Sequence, residues 1–391
     1  MLAGLIFATE AAEDRAEALA ATLPFGGMTL IEYQARLLIG CGAGHILIAV
    51  ARVTPALLAA VNRITRRGVA VDIVRSAEEA AAKAHPLASI VVVADALVTT
   101  DQAMRAIAGA QPDTLMVTSD ATTPAAVERV DADHVWAGLA ALSPTRLKEL
   151  AAMPREYDFQ STLLRVSVQG GAAVLPLPAG ARRAGHGVER HVDTLASRSN
   201  AVLAALANGR TDWPDRFVFT PVSRLALPRL AAKGTPHWVV PAVAALLAIA
   251  ALALIGWGRP GGGVVAGLAG IAALSTGSLL SWLRGEDRRA QAQERAIAAL
   301  SGVLMLGVGM QASAAAWTAT ALVLALVTVA AATLVERAAA RAAWWWGSPS
   351  AYPLLLAPFS LSGLTSVGLA VTAAYAMATL AAALEKLREK P

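Results

Sequence analysis

Cysteine is nearly missing from this chain. Cys41 is the only one in 391 residues, which excludes an intrachain disulfide and a thiolate metal cluster and favours a reducing compartment. Cys41 itself reads as a small buried residue. Charge is scarce as well: 16% of residues are charged against 56% hydrophobic, too few for an ordinary soluble domain. The scarcity is uneven. Charged residues recur from Met1 to about Gly234, whereas long stretches after His237 carry none. A basic stripe with interleaved aromatics is also lacking. The net charge of +5 is concentrated beside the apolar stretches, so it points to a membrane surface and not to nucleic acid. The stretch Met1 to Ala8 has no basic residue and is soon followed by Glu10, Glu13 and Asp14, so no signal peptide is expected. No serine-hydrolase elbow and no Walker loop occurs.

What is present in the second half is six apolar stretches, each about 20 residues long, as a bilayer core of roughly 30 Å requires. They run approximately 237–257, 262–283, 296–315, 317–335, 344–360 and 362–384. Every second connection is cationic: Arg224, Arg229 and Lys233 precede the first span, Arg284, Arg288, Arg289 and Arg295 separate the second and third, and Arg337 and Arg341 separate the fourth and fifth. Lys386, Arg388 and Lys390 follow the sixth. The positive-inside rule then puts both termini on the cytoplasmic side of a bacterial-type inner membrane. Trp238, Trp282 and Trp344 to Trp346 mark the cytoplasmic ends, Trp257 and Trp317 the far ends, as an aromatic belt. Pro353 and Pro358 interrupt the fifth stretch, which can instead be a kinked or re-entrant segment.

The first half alternates short strands with helices, which predicts an α/β domain with a mainly parallel sheet. Strands are expected at 2–8, 45–51, 69–74, 90–94 and 114–117, with a β-rich segment around Val135 and Trp136. Helices are expected near 11–21, 30–39, 55–67, 101–110, 144–152, 159–168 and 192–206, with a loop over 179–190. The division predicted is an α/β domain over 1–180, a linker with juxtamembrane helices over 181–235 and a membrane domain over 236–391.

Several segments of the first half are similar to one family. Leu5-Ile-Phe-Ala-Thr9, Arg15, Gly26-Gly-Met-Thr-Leu-Ile-Glu-Tyr-Gln34 and Ile46-Leu-Ile-Ala-Val50 resemble the opening of the sugar- and polyol-phosphate nucleotidyltransferases of GT-A-like fold. Val91-Val-Val-Ala-Asp95 resembles the strand that ends in that family's metal-binding aspartate, and Trp136 to Pro144 its acceptor-site strand and helix. The resemblance implies phosphate binding by Arg15 and binding of Mg2+ or Mn2+ by Asp95. Asp95 also reads as a helix cap or loop anchor. The first loop departs from the pattern. Ala8-Thr-Glu-Ala-Ala-Glu-Asp-Arg15 has no glycine to let backbone amides approach a phosphate, its acids repel a triphosphate, and no lysine stands near Pro24.

The second half resembles the CDP-alcohol phosphotransferases, whose motif reads D-x-x-D-G-x-x-A-R, eight residues, then G-x-x-x-D-x-x-x-D. Gly285 and Arg289 fall in frame, whereas Ser281, Arg284, Gly302 and Leu306 stand where the metal-binding carboxylates belong and Ala298 where the second glycine belongs. Ser223-Arg224 and Gly234-Thr-Pro-His237 resemble the segment leading into the first span. Glu286, Asp287 and Glu294 are the nearby acids, and they read as a salt-bridged loop. The arginines Arg284, Arg288 and Arg289, with Arg224, read either as a metal-free binding site for lipid phosphates or a phosphorylated headgroup, or as plain positive-inside charge. His186, His191 and Asp193 lie near one another but offer no third and fourth zinc ligand pair. The glycines from Gly258 to Gly263 read as a turn, and Gly302, Gly307 and Gly309 as helix-packing positions.

Two functions of different class follow. One is a membrane transferase of lipid or polyol-phosphate metabolism working with substituted residues. The other, favoured by the missing ligands, is a catalytically silent relative that acts as partner, scaffold or lipid- or headgroup-binding subunit, with no resident cofactor. Membrane lipids, a CDP-alcohol or a phosphorylated polyol are the expected partners, and a homodimer through the membrane helices is expected. A transporter is disfavoured by the near absence of ionisable residues within the spans.

Overall fold

The computed structural model describes residues 1–119, 127–153, 158–208, 212–232, 236, 238–337 and 344–388. The chain divides into two compact units, Met1–Ala205 and Leu206–Pro391.

Unit 1 is built on an eight-stranded sheet. In chain order its strands and short ladders are β1 (Leu2–Ala8), β2 (Pro24–Phe25), β3 (Met28–Thr29), β4 (Ala43–Val50), β5 (Ala70–Val74), β6 (Ser89–Val93), β7 (Leu97–Val98), β8 (Thr114–Thr118), β9 (Glu128–Arg129), β10 (Val135–Leu142), β11 (Ala173–Pro176) and β12 (Gly187–Val188). The main sheet runs β11-β8-β10-β6-β1-β4-β5, with β9 on β10. β1 pairs in parallel with β4 and β6, β4 with β5, and β8 with β11. β10 runs antiparallel between β6 and β8. The sheet is therefore mainly parallel, as the alternating pattern predicts. Its central strands are buried on both faces, with Leu5, Ile6 and Phe7 and all of β10 inaccessible, which is why they read as unbroken apolar runs and not as alternating ones.

The helices of this unit are α1 (Leu30–Gly40), α2 (Pro55–Thr65), α3 (Ala77–Lys83), α4 (Asp101–Ala108), α5 (Pro144–Ala151), α6 (Phe159–Gln169) and α7 (Val192–Asn208). Their starts follow local chemistry. Thr54, Ser76, Thr100 and Asp158 each accept a first-turn backbone N–H, and Pro55 and Pro144 sit where a missing N–H costs nothing. Cys41, at the end of α1, is half-buried and not enclosed as expected.

Three expectations need correction here. The alanine-rich stretch 11–21 forms no α-helix, only a 3-10 turn over Ala20–Thr22, because tertiary partners take its backbone groups. The helix α3 was not anticipated, although Ser76 followed by Ala-Glu-Glu is a helix start. The first unit extends to Ala205, beyond the boundary at 180, because β12 adds to β7 and the buried His186 holds the 181–190 loop inside.

Unit 2 contains α8 (Thr220–Ala232), α9 (Val239–Gly256), α10 (Pro260–Leu283), α11 (Asp287–Ala316), α12 (Thr320–Arg337), α13 (Ala351–Leu361) and α14 (Thr365–Arg388). Five of these, α9 to α12 and α14, are long and apolar enough to cross a membrane. The fifth stretch, expected over 344–360, is the 11-residue α13, too short to span, with Pro358 inside it. Close packing rests on glycine. A Cβ on Gly263 would lie 2.7 Å from the Ala251 carbonyl of α9, and one on Gly309 would lie 3.0 Å from the Ala321 carbonyl of α12. Arg341 and the segment 233–237, apart from Pro236, lie outside the described residues, as do the tail residues from 389.

Candidate functional site

Ligands of open α/β sheets sit at the carboxyl ends of the strands where the strand order reverses. In unit 1 that place lies between β1 and β6, since β4 and β5 follow β1 to one side and β6 returns to the other. The chain leaves β1 at Ala8 and β6 at Val93, so Thr9, Glu10 and Asp95 meet there.

Asp95 is buried, with 3% of its surface exposed. Its Oδ2 accepts from the backbone N–H of Thr9 and of Glu10, the latter at 2.7 Å, and from Thr9 Oγ1 at 3.1 Å. Its own N–H donates to Gln160 Oε1 at 2.9 Å, which ties the corner to α6, where Phe159 packs edge-on against Phe7 with centroids 5.0 Å apart. Oδ1 is buried without a partner among the described residues. Burial pushes the Asp95 carboxyl up to about 6 despite the three donors, which favour the anion. The next residue, Ala96, is held at φ 55°, a strained conformation of the kind that marks a constrained corner.

The loop after β1 is latched to the segment before α7. Glu13 pairs with His191 at 2.6 Å and Glu10 with Arg190 at 3.6 Å, Glu13 N–H donates to the Arg190 carbonyl, and Val192 N–H donates to Asp14. Glu189 N–H donates to the Ala96 carbonyl, and the Arg198–Glu189 pair fixes the segment from α7. Nothing in the sequence marked Arg190, because its partners Glu10 and Glu13 are more than 170 residues away. His186, weighed as a zinc ligand, is buried with its two nitrogens on Thr99 Oγ1 at 2.9 Å and the Ala137 carbonyl at 3.0 Å, and burial pushes its imidazole down to about 4. It is a neutral structural histidine. Among the described residues, no three of His, Cys, Asp and Glu gather in a metal-holding group.

Arg15 borders an open groove of about 610 Å3 with Glu17, Thr22, Thr54 and Pro55.

In unit 2, α10 ends at Leu283 and turns at Gly285, whose φ is 68°. Gly285 N–H donates to the Trp282 carbonyl and Glu286 N–H to the Ser281 carbonyl, so this glycine terminates a helix in the left-handed conformation that glycine supplies. Arg284 caps α10, Arg289 pairs with Glu286 at 2.9 Å, and Trp282 Nε1 donates to Glu294 at 2.9 Å. Arg288 is exposed on the first turn of α11. Arg224 is exposed on α8, while its neighbour Ser223 is buried and hydrogen-bonds Thr276 of α10 at 3.0 Å.

α11 meets α10 through Gln293, Leu300 and Leu304, which lie against the positions of Gly277, Gly270 and Gly267. Gly302 is two residues from both leucines, roughly 200° around the helix at 100° per residue, and the space beside it opens toward Val329 of α12. Ser281 faces Gln293 at 3.5 Å instead. Gly302 and Leu306, four residues apart, share one face of α11, and at Gly302 that face is turned toward Val329 of α12.

No family model matches the chain, and no curated protein matches it. Among solved structures, the inositol-1-phosphate CTP transferase from T. maritima is 11% identical, over 45% of this chain and 85% of that one, with a TM-score of 0.36. A UDP-glucose pyrophosphorylase complexed with UDP-glucose is 12% identical, over 52% of this chain and 98% of that one, with a TM-score of 0.38. At such identity and TM-score the likeness carries nothing about substrate.

Proposed function

We propose that this chain is a membrane protein of phospholipid or polyol-phosphate (CDP-alcohol type) synthesis that binds or organises other components without transferring a nucleotide itself. One observation carries the reading: at the strand reversal of unit 1, the amides of Thr9 and Glu10 donate to the carboxylate of Asp95. Those amides are the donors that a phosphate at this corner would use. With Oδ2 engaged by these amides, Asp95 acts as the anchor of the loop after β1. Further support comes from Glu10, Glu13 and Asp14 in the same loop, whose charge opposes a triphosphate.

In unit 2 the cationic turn of Arg284, Arg288 and Arg289, with Arg224 on α8, is the reading's binding surface for lipid or headgroup phosphates. It needs no metal, since guanidinium groups bind phosphate directly. The same reading puts both termini on the cytoplasmic side and pairs two copies through the helices.

The test is calorimetry on the protein purified in detergent, with CTP and a CDP-alcohol, each with and without Mg2+ or Mn2+. No metal-dependent binding is expected. Binding of CTP that requires the metal overturns the reading. In parallel, the full chain in detergent binds a short-chain anionic phospholipid more weakly when Arg284, Arg288 and Arg289 are all changed to Gln.

A further inference from the structure

Unit 2 carries an open groove of about 530 Å3 between α9 and α11, with Leu274 of α10 between them. Along α9 one wall runs from Trp238 through Pro241 and Ala245 to Ala248, and along α11 the other runs from Arg289 through Gln293 and Ala296 to Leu300. The two walls climb together, because Val240 and Gln293 both lie against Gly277 of α10, and Ala244 and Leu300 both against Gly270. At about 1.5 Å per residue each wall is about 15 Å long, half of a bilayer core of roughly 30 Å. Polarity falls along that length. At the mouth stand Trp238, which is exposed, and Arg289, the only charged residue of the lining among the described residues. Arg289 pairs with Glu286, yet its side chain is 51% exposed and a guanidinium has five N–H donors to share. One turn deeper is Gln293, 7% exposed. Its hydrogen bond among the described residues is a long one, from Ser281 to its Oε1 at 3.5 Å, which leaves the amide hydrogens available. Beyond Gln293 the lining is alanine and leucine alone.

We propose that this groove holds one anionic glycerophospholipid, with its phosphate on Arg289, an ester carbonyl on the Gln293 amide and an acyl chain along the alanine walls. This occupant deepens the reading of the cationic turn, on which it rests through Arg289. The order of groups identifies it: a cation, then a hydrogen-bond donor one turn deeper, then hydrocarbon is the complement of phosphate, ester and chain in the sequence a phospholipid presents them. The length agrees, since the groove reaches from the cationic end to half the depth of the core, as one leaflet does. Hydrocarbon alone gives no selectivity, because lipid tails are as apolar as the leucines around them. Choice of lipid therefore falls to the charge-assisted bond between guanidinium and phosphate. A second helix laid in the groove would cover the alanines but offer Arg289 and the Gln293 amide no acceptor at those positions.

Native mass spectrometry of the full chain in detergent tests this with dioleoyl phosphatidylglycerol, with dihexanoyl phosphatidylglycerol, which has the same headgroup, and with dioleoylglycerol, which has no phosphate. One long-chain phospholipid per chain is expected to bind, and dioleoylglycerol to bind more weakly. Ala245→Phe and Ala296→Phe fill the groove from opposite walls. Each is expected to weaken the long-chain phospholipid about tenfold, the worth of about ten lost carbon–carbon contacts, and to leave the dihexanoyl lipid unchanged. Ala245 is exposed, so a larger side chain there has room and the fold is kept. If Arg289→Gln weakens both phospholipids while neither phenylalanine variant weakens the long-chain one, the groove is empty of lipid and only the cationic-turn reading stands. If Arg289→Gln changes neither, both fail. Equal binding of dioleoylglycerol overturns the headgroup assignment. A phenylalanine variant that keeps its lipid and changes its oligomeric state puts a second copy in the groove and also overturns the proposal.

Discussion

Asp95 carries a testable energetic signature. In the unfolded chain its carboxyl titrates near 3.8, whereas burial holds it at about 6 in the folded unit. The folded state has the higher pKa, so it binds the proton more tightly. The resulting stabilisation is complete below pH 3.8 and is lost as pH rises through 6. A shift of two pKa units corresponds to roughly 3 kcal/mol. Denaturant-dependent hydrogen exchange of the β1 and β6 amides, corrected for intrinsic rates, should therefore show unit 1 gaining stability as pH falls from 7 to 4. Asp95→Asn keeps an oxygen for the Thr9 and Glu10 amides and removes the titration. It should flatten that slope, and an unchanged slope in the variant would assign the pH dependence elsewhere.

At the scale of elements, α1 depends on one buried acid. Glu32 is 4% exposed, closes a capping box with Thr29, and receives Arg63 of α2 in a bidentate pair at 2.7 and 2.9 Å. Burial pushes its carboxyl up, but the hydrogen bonds from Arg63 and Thr29 outweigh it and hold the group below the usual carboxylate range. Glu32→Ala removes the box and the link between α1 and α2 together and should cost about 2–3 kcal/mol in denaturant unfolding of unit 1. Glu32→Gln retains one cap bond and should cost less. Elements set by contiguous sequence were legible in this way: the parallel strands, capped helices such as α2 and α4, and the long apolar helices. What depends on distant partners was not. The stretch 11–21 has alanine enough for a helix, yet Glu13 N–H goes to the Arg190 carbonyl and the Ala16 carbonyl accepts from Arg52. Asp95 was legible as a strand-end carboxylate, and as a loop anchor among its readings, but the amides it would hold lie about 85 positions away. At Gly285 the sequence suggested a motif residue, while the local geometry requires only a helix terminator.

For the whole molecule, composition and length decide the solvent. Five helices from α9 to α14 meet the length and hydropathy that a bilayer demands, and Leu246, Ile249, Met310 and Val323 are among the large apolar side chains that unit 2 leaves exposed. The chain should stay with membranes through high-salt and alkaline washes and leave only with detergent. Release by alkali alone would place it at the membrane surface. Because the chain folds as two units with separate cores, a single unfolding midpoint is not expected, and stability should be followed unit by unit.

The carboxylate at the end of β6 has a further consequence for any anion that approaches the same amides. A group fixed to the site by the fold competes at an effective concentration of millimolar order or higher, and dilution does not reduce it. A dissolved phosphate must therefore displace a rival that never leaves and must also find room for it elsewhere. The corner behaves as a receptor supplied with its own antagonist, and shortening that side chain opens it more readily than raising the ligand concentration.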